Sequence, residues 1–284
     1  MIKNPYSAKP VRITATGEVI FTNQDYLEVK ANQVQCEAYG YTYDKVSGTC
    51  IAFRNNTHLE RNLSNINNKI NGAGNTTERG TNIVQINGTN NTTKGFNNNC
   101  FINGSNNEIA TLVRESMVVG MRGQATSNSS LVLTGNALPD ALGERQNITI
   151  MWGAETTNGT TLEATISNTA STDDSVRYFE VPTNTIVVFQ TETVGVRTGG
   201  TAAGSDGDFK AFIETGAAIN KMGVVTVDKG RTTIANTGSM AGVICSVDAS
   251  TKYLLQTVKG NNNKTIKWVT TMRLTQLKTL NATL

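Results

Sequence analysis

A glycine returns every sixteen residues through the first half of this 284-residue chain. It closes Ile-Asn-Gly at Ile70–Gly72, Ile86–Gly88 and Ile102–Gly104, returns in Val118-Val119-Gly120, and reappears fifteen residues later at Gly135. Low-complexity sequence does not hold such a phase. A fixed period marks a repeat architecture, in which each unit buries its apolar side only by stacking on a neighbour. A helical repeat needs two helices and a longer unit, and Asn, Gly and Thr are poor helix formers. One coil of a β-solenoid fits: sixteen extended residues cover about 53 Å of chain, enough for two or three short strands and their corners. Gly72, Gly88, Gly104, Gly120 and Gly135 are therefore assigned to repeat corners that need a positive φ.

The alternating apolar residues are expected to point to one side of each coil: Ile83 or Val84 with Ile86, Cys100 with Ile102, Met117 with Val119, and Leu131 with Leu133. Asparagine makes up 18 of the 53 residues from Asn55 to Asn107. It tolerates left-handed φ and stacks into hydrogen-bonded ladders, which gives its abundance a use. Each coil still offers few apolar side chains, too few to fill a wide core alone. The expectation that follows is a homotrimer wound around this segment, in a stack of coils about 24 Å tall.

The rest of the chain reads as all-β. Only 17% of residues are charged and 6% aromatic, with four prolines, a balance that favours turn-rich extended structure. Three regions are expected. Residues 1–55, with "VRITATGEVIF" and "YLEVKANQVQ" read as strands, form an N-terminal β domain; residues 56–138 form the Asn-rich solenoid. Residues 139–284 form an antiparallel β-sandwich of jelly-roll type, from nine or ten strand candidates between Asn147 and Lys278 broken at Gly, Asn and Pro turns. A brief helical turn is expected only at "LPDALGER", residues 138–145.

Cys36 and Cys50 bracket "CEAYGYTYDKVSGTC", where Val46-Ser47-Gly48 is a turn signal. A hairpin there brings the two sulfurs close, so a disulfide is one reading and two reduced, half-buried thiols the other. The start, "MIKNPYSAKPVRITATG", has no apolar run of a secretory leader, and no stretch approaches the roughly 20 apolar residues of a membrane helix. Cytoplasmic assembly is thus the expectation, which favours the reduced pair. It also makes Asn-x-Ser/Thr triplets such as Asn87-Gly88-Thr89 a by-product of composition. A net charge of +3 and no basic run with interleaved aromatics argue against a nucleic-acid partner.

Motifs of catalysis do not carry this sequence. The single histidine, His58 in "RNNTHLERN", has no positioned nucleophile beside it and reads as an exposed loop residue. Paired acids that could act on a glycosidic bond are Asp173 with Asp174 and Asp206 with Asp208. All four lie in Ser/Thr/Gly-rich segments, where Asp ordinarily serves turns. The glycine-rich "RTGGTAAGSDGDFK", residues 197–210, lacks the lysine and following helix of a phosphate loop and reads as an exposed hairpin tip. With "VKGNNNKTIKW", residues 258–268, it is the candidate partner-contacting rim, Trp268 being assigned to the core. No catalytic, cofactor or metal residue is assigned.

"ESMVVGMRGQATSNSSLVLTGNAL" resembles the head repeats of trimeric autotransporter adhesins, whose apolar-x-apolar-Gly units form a left-handed β-roll in a trimer. The same kind of unit recurs in fibre and appendage proteins of tailed bacteriophages. The likeness covers roughly residues 63–138 and departs from the adhesins in its sixteen-residue period and asparagine load. An autotransporter calls for a signal peptide and membrane-spanning strands, which are not read here; the phage reading requires neither. "VRYFEVPTNTIVVFQTETVGVRTGG", "GDFKAFIETGAAIN" and "TIKWVTTMRLTQLK" are similar to the terminal β domain at the ends of phage tail-fibre proteins. The resemblance implies a non-enzymatic structural virion protein, a homotrimeric head- or tail-fibre subunit assembled in the host cytoplasm. Residues 1–55 would attach it to capsid, portal, tail or baseplate, and the C-terminal domain would face a host-surface glycan or protein. The alternatives are a glycan- or receptor-binding adhesin module and a spike-type polysaccharide hydrolase.

Overall fold

Asn32 interrupts what the sequence reads as a strand. Its side chain accepts from the Gln35 amide (2.9 Å) while the Gln35 side chain accepts from the Asn32 amide (3.1 Å), a reciprocal cap that starts a helix. The computed structural model describes residues 8–14, 17–23, 27–45, 47–52, 67–137, 140–167 and 170–279, in two compact units, Met1–Leu63 and Ser64–Leu284. In the first unit β1 (Lys9–Ile13), β2 (Val19–Thr22) and β3 (Glu28–Val29) form an antiparallel sheet. The capped helix α1 (Gln33–Ala38) leads to the hairpin of β4 (Thr42–Asp44) and β5 (Thr49–Ile51). Among the described residues of "YLEVKANQVQ", 27–35, strand is confined to Glu28–Val29, because the local cap outcompetes a short alternating pattern. Cys36, on the helix rather than on the hairpin, is bonded to Cys50 on β5, with their Cα atoms 5.6 Å apart. The pair expected to be reduced is bridged: α1 packs on the hairpin and buries both sulfurs beside Phe21, so proximity overrides the compartment argument.

The second unit begins as a parallel β-solenoid of four turns. On its long face stack β6 (Lys69–Asn71), β8 (Asn82–Thr89), β10 (Asn98–Ser105), β12 (Met117–Met121) and β14 (Ser130–Gly135). On its short face stack β7 (Thr76–Thr77), β9 (Thr92–Thr93), β11 (Glu108–Ile109) and β13 (Gln124–Ala125). Left-handed residues recur at fixed phases of the coil. One row is Gly72, Gly88, Gly104 and Gly120, with φ between 104° and 135°; another is Gly74, Asn90, Asn106 and Arg122, with φ between 55° and 69°. A Cβ on Gly88 or Gly104 would sit 1.8 Å from the carbonyl oxygen of the next glycine in the row, which no side chain can do. Gly135 is outside this row. Thr134 stands opposite Gly120 and Gly135 opposite Met121, because the last coil is two residues shorter, pairing Val118 with Val132. Gly135 lacks the positive φ of a corner and has open space around its Cα.

Glycine register also decides which residues face in. Ile86, Ile102, Val118 and Val132, paired rung to rung, are all buried. Met117, Leu131 and Leu133, expected to join Ile86 and Ile102 inside, face outward and are exposed; Val119, opposite Leu133, shares their side. The reason is period two along a strand: a slip of one residue against the glycine reverses the face. Inside the coil, asparagines replace apolar filler. Asn91 Nδ2 donates to Gly104 O (2.9 Å) and Asn75 Oδ1 (3.0 Å), and Asn107 repeats the pattern toward Gly120 O (2.9 Å) and Asn91 Oδ1 (3.1 Å).

The C-terminal strands continue the long face of the solenoid. β15 (Arg145–Thr156) pairs antiparallel with β14, and β23 (Thr265–Lys278), β18 (Thr185–Gly199), β19 (Phe209–Lys221) and β20 (Val224–Asn236) follow in that spatial order. β16 (Thr161–Ile166) branches from β15 to β22 (Tyr253–Lys259), which also holds β17 (Phe179–Glu180) and β21 (Ile244–Ser250). Helix α2 (Asp174–Arg177) precedes β17. The two branches enclose Trp152, Phe179, Phe189, Phe212 and Met272 in one core with the solenoid's Ile86 and Ile102. Near residue 138 the chain passes within this sheet from parallel to antiparallel pairing. Leu138 and Pro139 lie outside the described residues, and the expected helical turn is absent from 140–145: Glu144 accepts from the Ala141 amide and β15 starts at Arg145.

Two outcomes follow. Gly104→Val should cost about 4 kcal/mol or more, read as loss of the folded product or a large fall in melting temperature, while Gly135→Ala stays within about 0.5 kcal/mol. Equal effects at the two sites would refute the carbonyl-stack assignment. Replacing Cys36 and Cys50 by serine removes a cross-link over 14 residues. Denaturant unfolding of the N-terminal unit should then shift by about 3 kcal/mol, and an unchanged midpoint would show that the bridge does not form.

Candidate functional site

Arg197 organises one end of the second unit. Its side chain is 4% exposed at the end of β18, and its guanidinium donates to the carbonyls of Gly199 (3.2 Å), Gly200 (3.0 Å), Ala202 (2.9 Å) and Ala203 (3.0 Å). Asp206 adds an ion pair at 3.6 Å. The glycine-rich segment therefore turns its oxygens inward around a cation, the opposite polarity to a phosphate cradle, which aims N–H groups at an anion. A Cβ on Gly200 would lie 2.2 Å from Asn263 O, so only glycine lets the two loops touch. The Ala202 amide donates to that same carbonyl (3.1 Å), and the Lys264 ammonium donates to Ser239 O. Asn261 and Asn262 tie in Ala241 O and the Gly159 amide. The two rim segments read from the sequence, 197–210 and 258–268, thus meet, joined by the 158–160 turn and the segment around Ser239. No motif signals this last contribution, because Ser239 acts through topology alone.

The candidate acids serve local structure, Asp206 and Asp208 in this cluster and Asp173 and Asp174 at α2. Asp173 caps α2, accepting from the Ser175 amide (2.9 Å) and hydroxyl (2.7 Å), and those bonds hold its carboxyl below the usual range. Asp174 pairs with Arg177 at 3.4 Å. Asp208 accepts from the Ser239 hydroxyl, which lowers its carboxyl most, and from the Ser205 amide. Trp268 is buried with its indole N–H donating to Thr156 (3.0 Å). His58 lies outside the described residues. Among the described residues no cluster of three His, Cys, Asp or Glu could hold a metal ion.

Two further groups escape sequence reading. A cleft of about 380 Å³ runs between α2 and the short face of the solenoid, lined by Leu112, Val113, Gln124, Asn128, Ser175 and Val176. On the far side of β22, the free edge of β21 is satisfied by side chains. Lys210 donates to Val243 O (2.9 Å), Arg231 to Cys245 O, Lys229 to Val247 O, and Glu214 accepts from the Val247 amide (2.9 Å). Burial raises the Glu214 carboxyl, with Asp248 adding to it, against the opposing Val247 amide, Lys229 and Arg231.

No family model and no curated protein matches the chain. Solved structures similar to parts of it include the tailspike protein of Acinetobacter baumannii phage AM24, at 8% identity and a TM-score of 0.27 over 76% of this chain and 50% of that one. Another is tailspike protein gp49 of Acinetobacter baumannii bacteriophage Fri1, described as a capsular polysaccharide depolymerase, at 7% identity and a TM-score of 0.24 over 73% and 46%. The chain spans about half the length of these tailspikes, and likenesses of this size do not establish a common fold.

Arg197→Lys keeps the charge but loses the planar fork. Amides of residues 199–208 should then exchange faster with solvent while the solenoid is unchanged; unaltered exchange would remove Arg197 from its organising role. For Glu214 the folded chain holds the carboxyl proton more tightly than the unfolded one. The stability it gives is complete below the ordinary glutamate range and is lost as pH rises through the raised value. In melts across pH 4 to 8, roughly from the ordinary glutamate value upward, Glu214→Gln should gain on the parent as pH rises; parallel curves would refute this.

Proposed function

We propose that the chain is a structural subunit of a tailed-phage appendage, a homotrimeric fibre- or spike-like element of the virion without enzymatic activity. The observation that carries this reading is the unbroken sheet from β6 to β20: a register-locked parallel stack continued by long antiparallel strands is a stiff scaffold, suited to a structural part. In this reading the unit Met1–Leu63 attaches to other virion proteins. The loop cluster around Arg197 contacts a host-surface glycan or protein, since binding concentrates on loops fixed by a rigid scaffold.

The rival from another class is a polysaccharide hydrolase. Against it stands the engagement of every acid read from the sequence: Asp173 and Asp174 with their own helix, Asp206 with Arg197, Asp208 with Ser239. The deciding experiment is incubation of the purified full chain with host capsular polysaccharide. Binding to cells without release of reducing ends supports the structural and receptor reading. Sugar release, lost in Asp173→Asn or Asp206→Asn, would overturn it.

A further inference from the structure

The outward side of the long sheet carries apolar residues that are exposed among the described residues. Met117 (39% exposed), Leu131 (37%), Leu133 (49%), Met151 (54%), Val188 (57%) and Leu277 (46%) lie on β12, β14, β15, β18 and β23. Pairing places them on one side. Met117 is opposite Leu131; Leu133, Asn147, Thr275 and Val188 form one row across four strands; Leu277 and Met151 sit two and four residues from that row on their strands. Scattered single exposures need no explanation, but rows on one sheet face do.

We propose that this outward face is where copies of the chain pack on one another, an inference that rests on the homotrimer reading above and assigns its contact. Three observations favour a second copy over a foreign partner. The face has the area of one pairwise contact: seven strands from β8 to β18 at about 4.8 Å by about eight residues at 3.3 Å give roughly 900 Å², against about 800 Å² per partner in a stable interface, and in a trimer each copy divides it between two neighbours. It is nearly neutral at its centre, since Arg273 pairs with Glu192 at 3.0 Å within the chain, so no polyanion or polycation is called for. Its rows also repeat once per coil, through Gln85, Phe101, Met117 and Leu131, and a copy of this chain presents rows of that same pitch. Along that row polarity changes from Lys69 and Gln85 to Met117 and Leu131, so contact is strongest where the solenoid meets the antiparallel strands.

The test uses the full chain in sedimentation equilibrium. The parent should have three times the 30.4 kDa chain mass, and Leu133→Glu one, with unchanged far-ultraviolet circular dichroism. Leu162→Glu, on β16 and 45% exposed, should remain trimeric. A trimeric parent whose Leu133→Glu and Val188→Lys forms stay trimeric overturns the face and leaves the trimer standing. A monomeric parent overturns the trimer and this contact together. Should Leu133→Glu fail to fold, Leu133→Cys gives the readout: protection from maleimide in the trimer supports the face, and labelling as fast as Leu162→Cys refutes it.

Discussion

The carboxamides inside the coil fix everything else in the solenoid. Each of Asn91 and Asn107 donates forward thirteen residues to a glycine carbonyl and back sixteen to the previous asparagine. Each backbone amide donates back to the same oxygen, Asn91 to Asn75 and Asn107 to Asn91. Buried amides are costly unless satisfied, and here each is satisfied only if the coil has sixteen residues. The period is thus a hydrogen-bond count. Where Gly123 takes the ladder position, its amide ends the chain of bonds on Asn107 Oδ1, and the next coil is free to contract to fourteen.

Much of this was legible because the constraint is local and periodic. Glycines 72, 88, 104 and 120 announce their row, since their carbonyls stack with no room for a Cβ. Asn90, Asn99 and Asn106 occupy left-handed positions that the composition foreshadowed. What was not legible depended on register or on distant contact. Met117, Leu131 and Leu133 look like core residues until the phase is counted from the corner position, which is Gly120 for Met117 and Thr134, not Gly135, for Leu131 and Leu133. Gly135 looks like a fifth corner because a two-residue deletion leaves a glycine one step beyond the true position. Asn32 and Gln35 lie in an alternating run that hides a cap, and the cysteines could be paired only once the helix was placed.

The candidate rim shows the same divide. Both loops were visible as turn-rich sequence, but that a buried Arg197 would gather four carbonyls was not, because arginine in an alternating strand reads as a surface residue. The β21 edge is similar. Lys210, Lys229, Arg231 and Glu214 look solvated in sequence, yet they cover unpaired backbone groups that would otherwise be an open template for another strand.

The passage from β14 to β15 has a consequence for length. A parallel stack has no internal reason to stop, since each coil offers the next an identical edge; an antiparallel strand laid on β14 ends the succession. Stop and repeat unit are therefore separate pieces of sequence. A duplication of sixteen residues within 73–104 would insert one coil, carrying its own corner glycine and ladder asparagine, and lengthen the stack by about 4.8 Å without touching the terminating strand. The solenoid has the construction of a ruler, whose gradations can be added or lost while its terminating strand stays as it is.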